Sequence, residues 1–156
     1  MVGILILTHG GLARELLDAA RVIAGDLPGF EALSLSWDDD GEIVRRKLEP
    51  VLRRLDHGDG VLVLTDIFGG TPSNVALAFR QKGKVEVVSG VNLPMVVRLG
   101  CRTTQSLPLS EMAVWIRNKG RGSICGGEPA TGESSPEEPS AGETSRSRLL
   151  VECEET

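Results

Sequence analysis

Along residues 1–90 the hydrophobic and polar positions switch repeatedly between two periods. Val2 to Leu7 (VGILIL) is an unbroken apolar run, as expected of a strand covered on both faces. A polar, Gly-rich break follows at Thr8-His9-Gly10-Gly11. Then Leu12, Leu16, Leu17, Ala20 and Ile23 recur at helical spacing, and Gly25 ends that helix. Phe30 to Ser36 reads as a second strand. Asp38 to Gly41 supplies helix-start signals, and Ile43, Val44, Leu48, Val51, Leu52 and Leu55 form the stripe of a second helix. Pro50 lies inside that stripe. It lacks an amide donor and predicts a kink or a split there. Val61 to Leu64 (VLVL) is a third buried strand, Thr71 to Gln81 a helix and Lys84 to Val88 a fourth strand. Leu93 to Leu99 is a short helix with Pro94 in its first turn, and Leu109 to Asn118 a last helix with Met112, Trp115 and Ile116 facing inward.

This βαβαβαβ order with short connections predicts an α/β fold: an open, mainly parallel sheet of about four strands with helices on both faces. In such sheets, sites form beyond the C-terminal strand ends, where the strand order reverses. Three loops lie there. They are Thr8 to Gly11, Thr65 to Asn74 and Ser89 to Pro94.

The second loop carries two candidate features. Asp66 occupies the position after its strand that His9 occupies after the first. If the two strands are neighbours, the carboxylate accepts the ring Nδ1–H, fixes the tautomer and leaves Nε2 to attack. A neutral imidazole, with an ordinary pKa of about 6.5, is a usable nucleophile toward a phosphoryl group. The plainer alternatives are a turn histidine and an Asp bonded to its own backbone. Gly69-Gly70-Thr71-Pro72-Ser73-Asn74 predicts a helix start with Thr71 as N-cap and Pro72 as first helical residue. Its amides, with those near Gly10 and Gly11, suit a dianion. No Walker A pattern occurs, so a nucleoside triphosphate is not expected. His57 reads as a solvated turn residue at the opposite end of the sheet. Arg45-Arg46-Lys47 and Arg53-Arg54 read as a solvated helix face.

Charge divides the chain of 156 residues in two. Of 17 Lys+Arg and 22 Asp+Glu, residues 126–156 hold Arg146 and Arg148 against eight Glu. Residues 1–125 are therefore nearly balanced and form the expected domain. Residues 126–156 form an acidic Gly/Pro/Ser/Glu-rich tail that is expected to stay disordered. The acidity and the scarcity of aromatics argue against nucleic-acid binding. No run approaches the length of a membrane span, and no secretory signal is expected. Cys101, Cys125 and Cys153 are odd in number and show no C-x-x-C spacing. Neither a disulfide framework nor a metal site is expected, no cofactor is called for, and a reducing, cytoplasmic setting follows.

Three motifs, ILTHGGLARELL, VLTDIFGGTPSNVA and VSGVNLPMVV, together resemble the IIA domain of the mannose-type (mannose/fructose/sorbose) enzyme II of the bacterial sugar phosphotransferase system. The resemblance covers about residues 1–120. It implies a cytoplasmic phosphocarrier that takes a phosphoryl group from HPr and passes it to a IIB protein serving a membrane transporter. His9 matches the phosphorylated histidine and Asp66 its carboxylate partner. Phe68, Gly69, Gly70 and Thr71 match the loop beside the site. Gly90, Val91, Asn92, Leu93 and Pro94 match a third motif near the crevice. Gly10, Gly11, Phe68, Gly69, Gly70, Thr71 and Asn92 are thus the candidate phosphoryl-binding residues.

The resemblance also implies a homodimer with an exchanged antiparallel edge strand, here Arg121 to Cys125, which is weak strand material. The tail is too short for a IIB domain, so a separate IIB protein is expected, with membrane contact only through transporter partners. Two alternatives stay open: a regulatory sensor of phosphorylation state, and the phosphocarrier subunit of dihydroxyacetone kinase.

Overall fold

A computed structural model describes residues 1–101 and 107–126. The expectations for residues 127–156 lie outside the described residues. Four strands form one sheet: β1 (Gly3–His9), β2 (Phe30–Leu35), β3 (Val61–Thr65) and β4 (Val85–Ser89). Their order is β2-β1-β3-β4, and every pairing is parallel. Five helices, α1 (Leu12–Ala24), α2 (Gly41–Leu55), α3 (Thr71–Ala78), α4 (Leu93–Leu99) and α5 (Leu109–Gly122), complete the α/β fold.

The alternation of side chains along a strand divides the core. Leu5, Leu7, Val61 and Val63 pack with Val44, Leu48, Val51, Leu52 and Leu55 of α2 and Ala76 of α3. On the other face Ile4, Leu62 and Leu64 meet Met95, Leu99, Leu109, Met112 and Ile116, while Ile6 packs with Ala13, Leu17 and Ala20 of α1. Double-sided burial explains why β1 and β3 read as continuous apolar runs. Edge strand β4 alternates between buried and half-buried positions instead.

Several boundaries differ from the sequence expectation. β1 continues through Thr8 and His9, because Ser34 and Leu35 of β2 pair alongside them. α3 ends at Ala78, short of Gln81, since Gln81 instead bonds Val85 at the start of β4. α5 runs on to Gly122, past Asn118, and the segment offered for strand exchange, Arg121 to Cys125, is here the end of that helix and the turn after it. α2 passes through Pro50 as one helix. Pro50 faces solvent, where the carbonyl left without a donor can bond water, while the buried stripe holds the turns on either side. His57 is exposed, as are Arg45, Arg46, Lys47, Arg53 and Arg54. Cys125 is free. Among the described residues no helix is long and apolar enough to cross a membrane.

Pro50→Ala restores an amide donor to the middle of α2 without touching the core. It should raise stability by about 1–2 kcal/mol, the helix gain being partly offset by a more flexible unfolded chain. Urea unfolding at constant m-value measures this.

Candidate functional site

The chain leaves β1 toward β2 on one side and later returns to place β3 on the other. The strand order therefore reverses between β1 and β3, and their C-terminal ends open one crevice. His9 is the last residue of β1, and Asp66 directly follows β3. The two meet. His9 Nδ1 lies 2.8 Å from Asp66 Oδ2, and the same oxygen accepts the His9 backbone N–H at 2.9 Å. Asp66 Oδ1 accepts the Ile67 N–H at 2.9 Å. Burial pushes the Asp66 carboxyl up, but these hydrogen bonds from the His9 amide, the His9 ring and the Ile67 amide outweigh it and leave Asp66 below its ordinary value of 3.8. Asp66 is thus a carboxylate at neutral pH and can only accept. In the neutral ring, Nδ1 must then carry the proton and Nε2 the lone pair.

Nε2 looks toward the start of α3. A Cβ built on Gly70 would come 3.0 Å from His9 Cε1 and 3.6 Å from Nε2. Gly70 thus lies close against the imidazole, and an added methyl would also meet Ile67 Cγ2 at 3.0 Å. It is also the N-cap of α3, so Thr71 is the first helical residue and not the cap expected from sequence. The cap makes no side-chain hydrogen bond, and Pro72 has no amide. The donors of this first turn come from Thr71 and Ser73. Gly69 has a φ of +85° and its carbonyl accepts Asn74 Nδ2 at 3.0 Å, which closes the loop.

On the β1 side, Gly11 caps α1 without a side chain. Buried Thr8 takes over part of that task, its Oγ1 accepting the Ala13 N–H at 2.8 Å. Gly10 has a φ of +55°, and its N–H donates to Leu35 O at 2.8 Å. That amide supports the turn and does not face an incoming anion. Asn92 is similarly engaged. Its Oδ1 caps α4 through Met95 N–H and its Nδ2 donates to Gly120 O. Phe68 is 77% exposed, and its ring lines a groove along β4 with Leu77 and Val87. Of the candidate residues, His9, Asp66 and Gly70 are joined by direct geometry; Gly11, the N-cap of α1, and Gly69 and Thr71, on either side of the N-cap of α3, follow the ends of β1 and β3.

Two features escaped the sequence pattern. Below the site Thr65 Oγ1 and Ser89 Oγ are 2.8 Å apart, and Ser89 Oγ reaches Ser73 Oγ at 3.4 Å, tying β3, β4 and α3 together. Above it, the Trp37 indole stacks on the His9 ring, with centroids 5.2 Å apart and planes 12° from parallel. A large aromatic in the polar connection after β2, at the same end of the sheet as His9, was the available signal. Among the described residues no group of three or more His, Cys, Asp or Glu could hold a metal ion.

Comparison with known proteins gives one consistent result. The EIIA-man family, described as PTS system fructose IIA component, matches residues 3–113. The PTS system mannose-specific EIIAB component of Escherichia coli (strain K12) is 35% identical over 97 residues, 62% of this chain and 30% of that protein. The chain thus spans less than a third of that relative. The PTS system fructose-specific EIIA component of Bacillus subtilis (strain 168) is 28% identical over 100 residues, covering 64% of this chain and 68% of the relative. The solved structure of a mannose/sorbose specific IIA subunit from Enterococcus faecalis superposes with a TM-score of 0.70 at 26% identity, covering 88% of this chain and 98% of the other.

The lowered Asp66 pKa fixes a pH dependence. A carboxyl depressed by folding adds stability above its unfolded value near 3.8 and loses it as pH falls through the lower folded value. Asp66→Asn should therefore be less stable than the parent at pH 7, by about 1–3 kcal/mol. The gap should close as the pH drops below that range. Chemical denaturation of both proteins at pH 7 and at stepwise lower pH checks it.

Proposed function

Since the chain belongs to the EIIA-man family of sugar phosphotransferase system IIA components, we propose that it is a phosphocarrier: His9 takes a phosphoryl group from phospho-HPr and passes it to a IIB acceptor. The observation that supports this reading best is the 2.8 Å contact between His9 Nδ1 and an ionised Asp66, which leaves a lone pair on Nε2 at the mouth of the crevice. Nε2 attacks phosphorus as the donor's N–P bond breaks, and the donor nitrogen leaves with the electron pair. His9 keeps its Nδ1 proton and becomes a phosphorylated, cationic ring. Asp66 balances that positive charge.

The phosphoryl oxygens come to lie toward Gly70, where the first-turn amides of α3 and the positive end of its dipole favour a dianion. Gly11, Gly69 and Thr71 complete the cradle. Both bonds in the exchange are N–P bonds of similar energy, so positioning and charge complementarity do most of the catalysis. Such a carrier acts in the cytoplasm, as a homodimer, and meets the membrane only through its transporter partners.

Incubation with phosphoenolpyruvate, enzyme I and HPr should add one phosphoryl group to the intact mass, and a IIB protein of the mannose family should remove it. His9→Ala should show no gain, and Asp66→Asn should accept the group about 10- to 100-fold more slowly. A parent protein that stays unmodified beside fully phosphorylated HPr refutes the relay. Gly70→Ala tests the cradle. Its new methyl crowds His9 Cε1 and Ile67 Cγ2 and sits in contact with Nε2, so acceptance should slow about tenfold or more while the midpoint of thermal unfolding changes little.

A further inference from the structure

We propose that Trp37 is a positioning residue for His9: its indole holds the imidazole in the plane in which Nδ1 meets Asp66 and Nε2 faces Gly70. This inference rests on the phosphocarrier reading above. One hydrogen bond at Nδ1 fixes a point on the ring but not its plane. The imidazole can still tilt about that contact, and each tilt swings Nε2 away from the start of α3. A second, flat contact removes that freedom. The near-parallel stack of Trp37 on His9 is such a contact.

Trp37 is not there to fill the core. It is 80% exposed, so the face turned away from His9 lies open. A side chain of that size gains little by burial in this position, which leaves its contact with the imidazole as its main interaction. The segment that carries it is firmly held. The Ser36 N–H donates to Asp39 Oδ2 at 2.9 Å, and the Asp39 N–H donates back to Ser36 O at 3.1 Å. Lys47 of α2 binds the same carboxylate at 2.6 Å. Asp40 then caps α2 through the Glu42 and Ile43 amides. Trp37 and Asp38 are thus the two residues of a closed turn anchored to a helix. Gly10 lies beneath the indole, where a Cβ would be 3.9 Å from Trp37 Nε1. The arrangement suits both states of the carrier. The ring plane does not change when phosphorus joins Nε2, and the positive ring that results meets the electron-rich face of the indole.

A small N–P donor separates positioning from protein docking. With N-protonated phosphoramidate, the Nε2 lone pair forms the new N–P bond as the donor's P–N bond breaks, and ammonia leaves with its electron pair. Phosphoramidate makes no contact with an outer protein surface. Trp37→Ala should be phosphorylated about three- to tenfold more slowly than the parent, and Trp37→Phe should restore the rate to within about twofold. Nitrogen-15 and carbon-13 relaxation of the unphosphorylated His9 ring should show a rigid imidazole in the parent and in Trp37→Phe, and a more mobile one in Trp37→Ala, with the Nδ1–H tautomer kept in all three. Thermal unfolding should be alike in all three. Parent-like rates and ring mobility in Trp37→Ala overturn the proposal. So does a variant that is slow with phospho-HPr but normal with phosphoramidate, which would make Trp37 a docking residue. If the parent itself takes nothing from phospho-HPr, the relay reading fails, and the ring-mobility comparison still decides the role of Trp37.

Discussion

One carboxylate organises the site. Asp66 Oδ2 receives both the backbone amide and the ring of His9, and Oδ1 receives the amide of its own successor. Because the backbone of His9 is bound as well as its side chain, the ends of β1 and β3 are tied at the point where the sheet would otherwise begin to open. Those donors offset burial and hold the carboxyl below its ordinary pKa in a half-buried place. The imidazole in turn needs the carboxylate to choose its tautomer. Neither group has its chemistry without the other, and neither pairing would exist if β1 and β3 were not adjacent in the sheet.

Around this pair the glycines and small polar residues divide the work. Gly70 lets a helix start approach the ring, and Gly11 leaves another helix start without a side-chain cap. Gly10 and Asn92 serve the scaffold, one bonding Leu35 and the other joining α4 to α5. The hydroxyls of Thr65, Ser89 and Ser73 give the strand ends and the helix a shared polar floor. Residues that look alike in a motif can therefore act on opposite sides of the line between support and chemistry. What separates them is whether their polar groups are already bonded within the fold.

This explains what could be read from the sequence and what could not. The strands were legible because burial on both faces leaves VGILIL and VLVL without a polar position. His9 and Asp66 were legible because both follow such runs, and a parallel sheet brings matching ends together. Helix ends were harder. Thr71 is a good capping residue, yet the helix begins a residue earlier, with Gly70 as a cap that makes no side-chain hydrogen bond. The role of Pro50 depended on which side of α2 faces water, a matter of packing that local propensity does not contain. Trp37 was missed because its partner is 28 residues away along the chain, and only a folded turn brings the two rings together.

The pairing of His9 with Asp66 spans 57 residues of sequence. It also bridges two parallel strands, which cannot pair until the intervening β2 and α2 have been threaded past the sheet. Such a contact brings no reward until a long loop has closed, and it belongs to the slow, non-local part of folding. A nascent chain that has emerged only as far as α2 already carries its histidine, but as an ordinary solvent-facing imidazole. The contact that would make it the proposed nucleophile forms only with the central strand pair, so the site is assembled no earlier than the architecture around it.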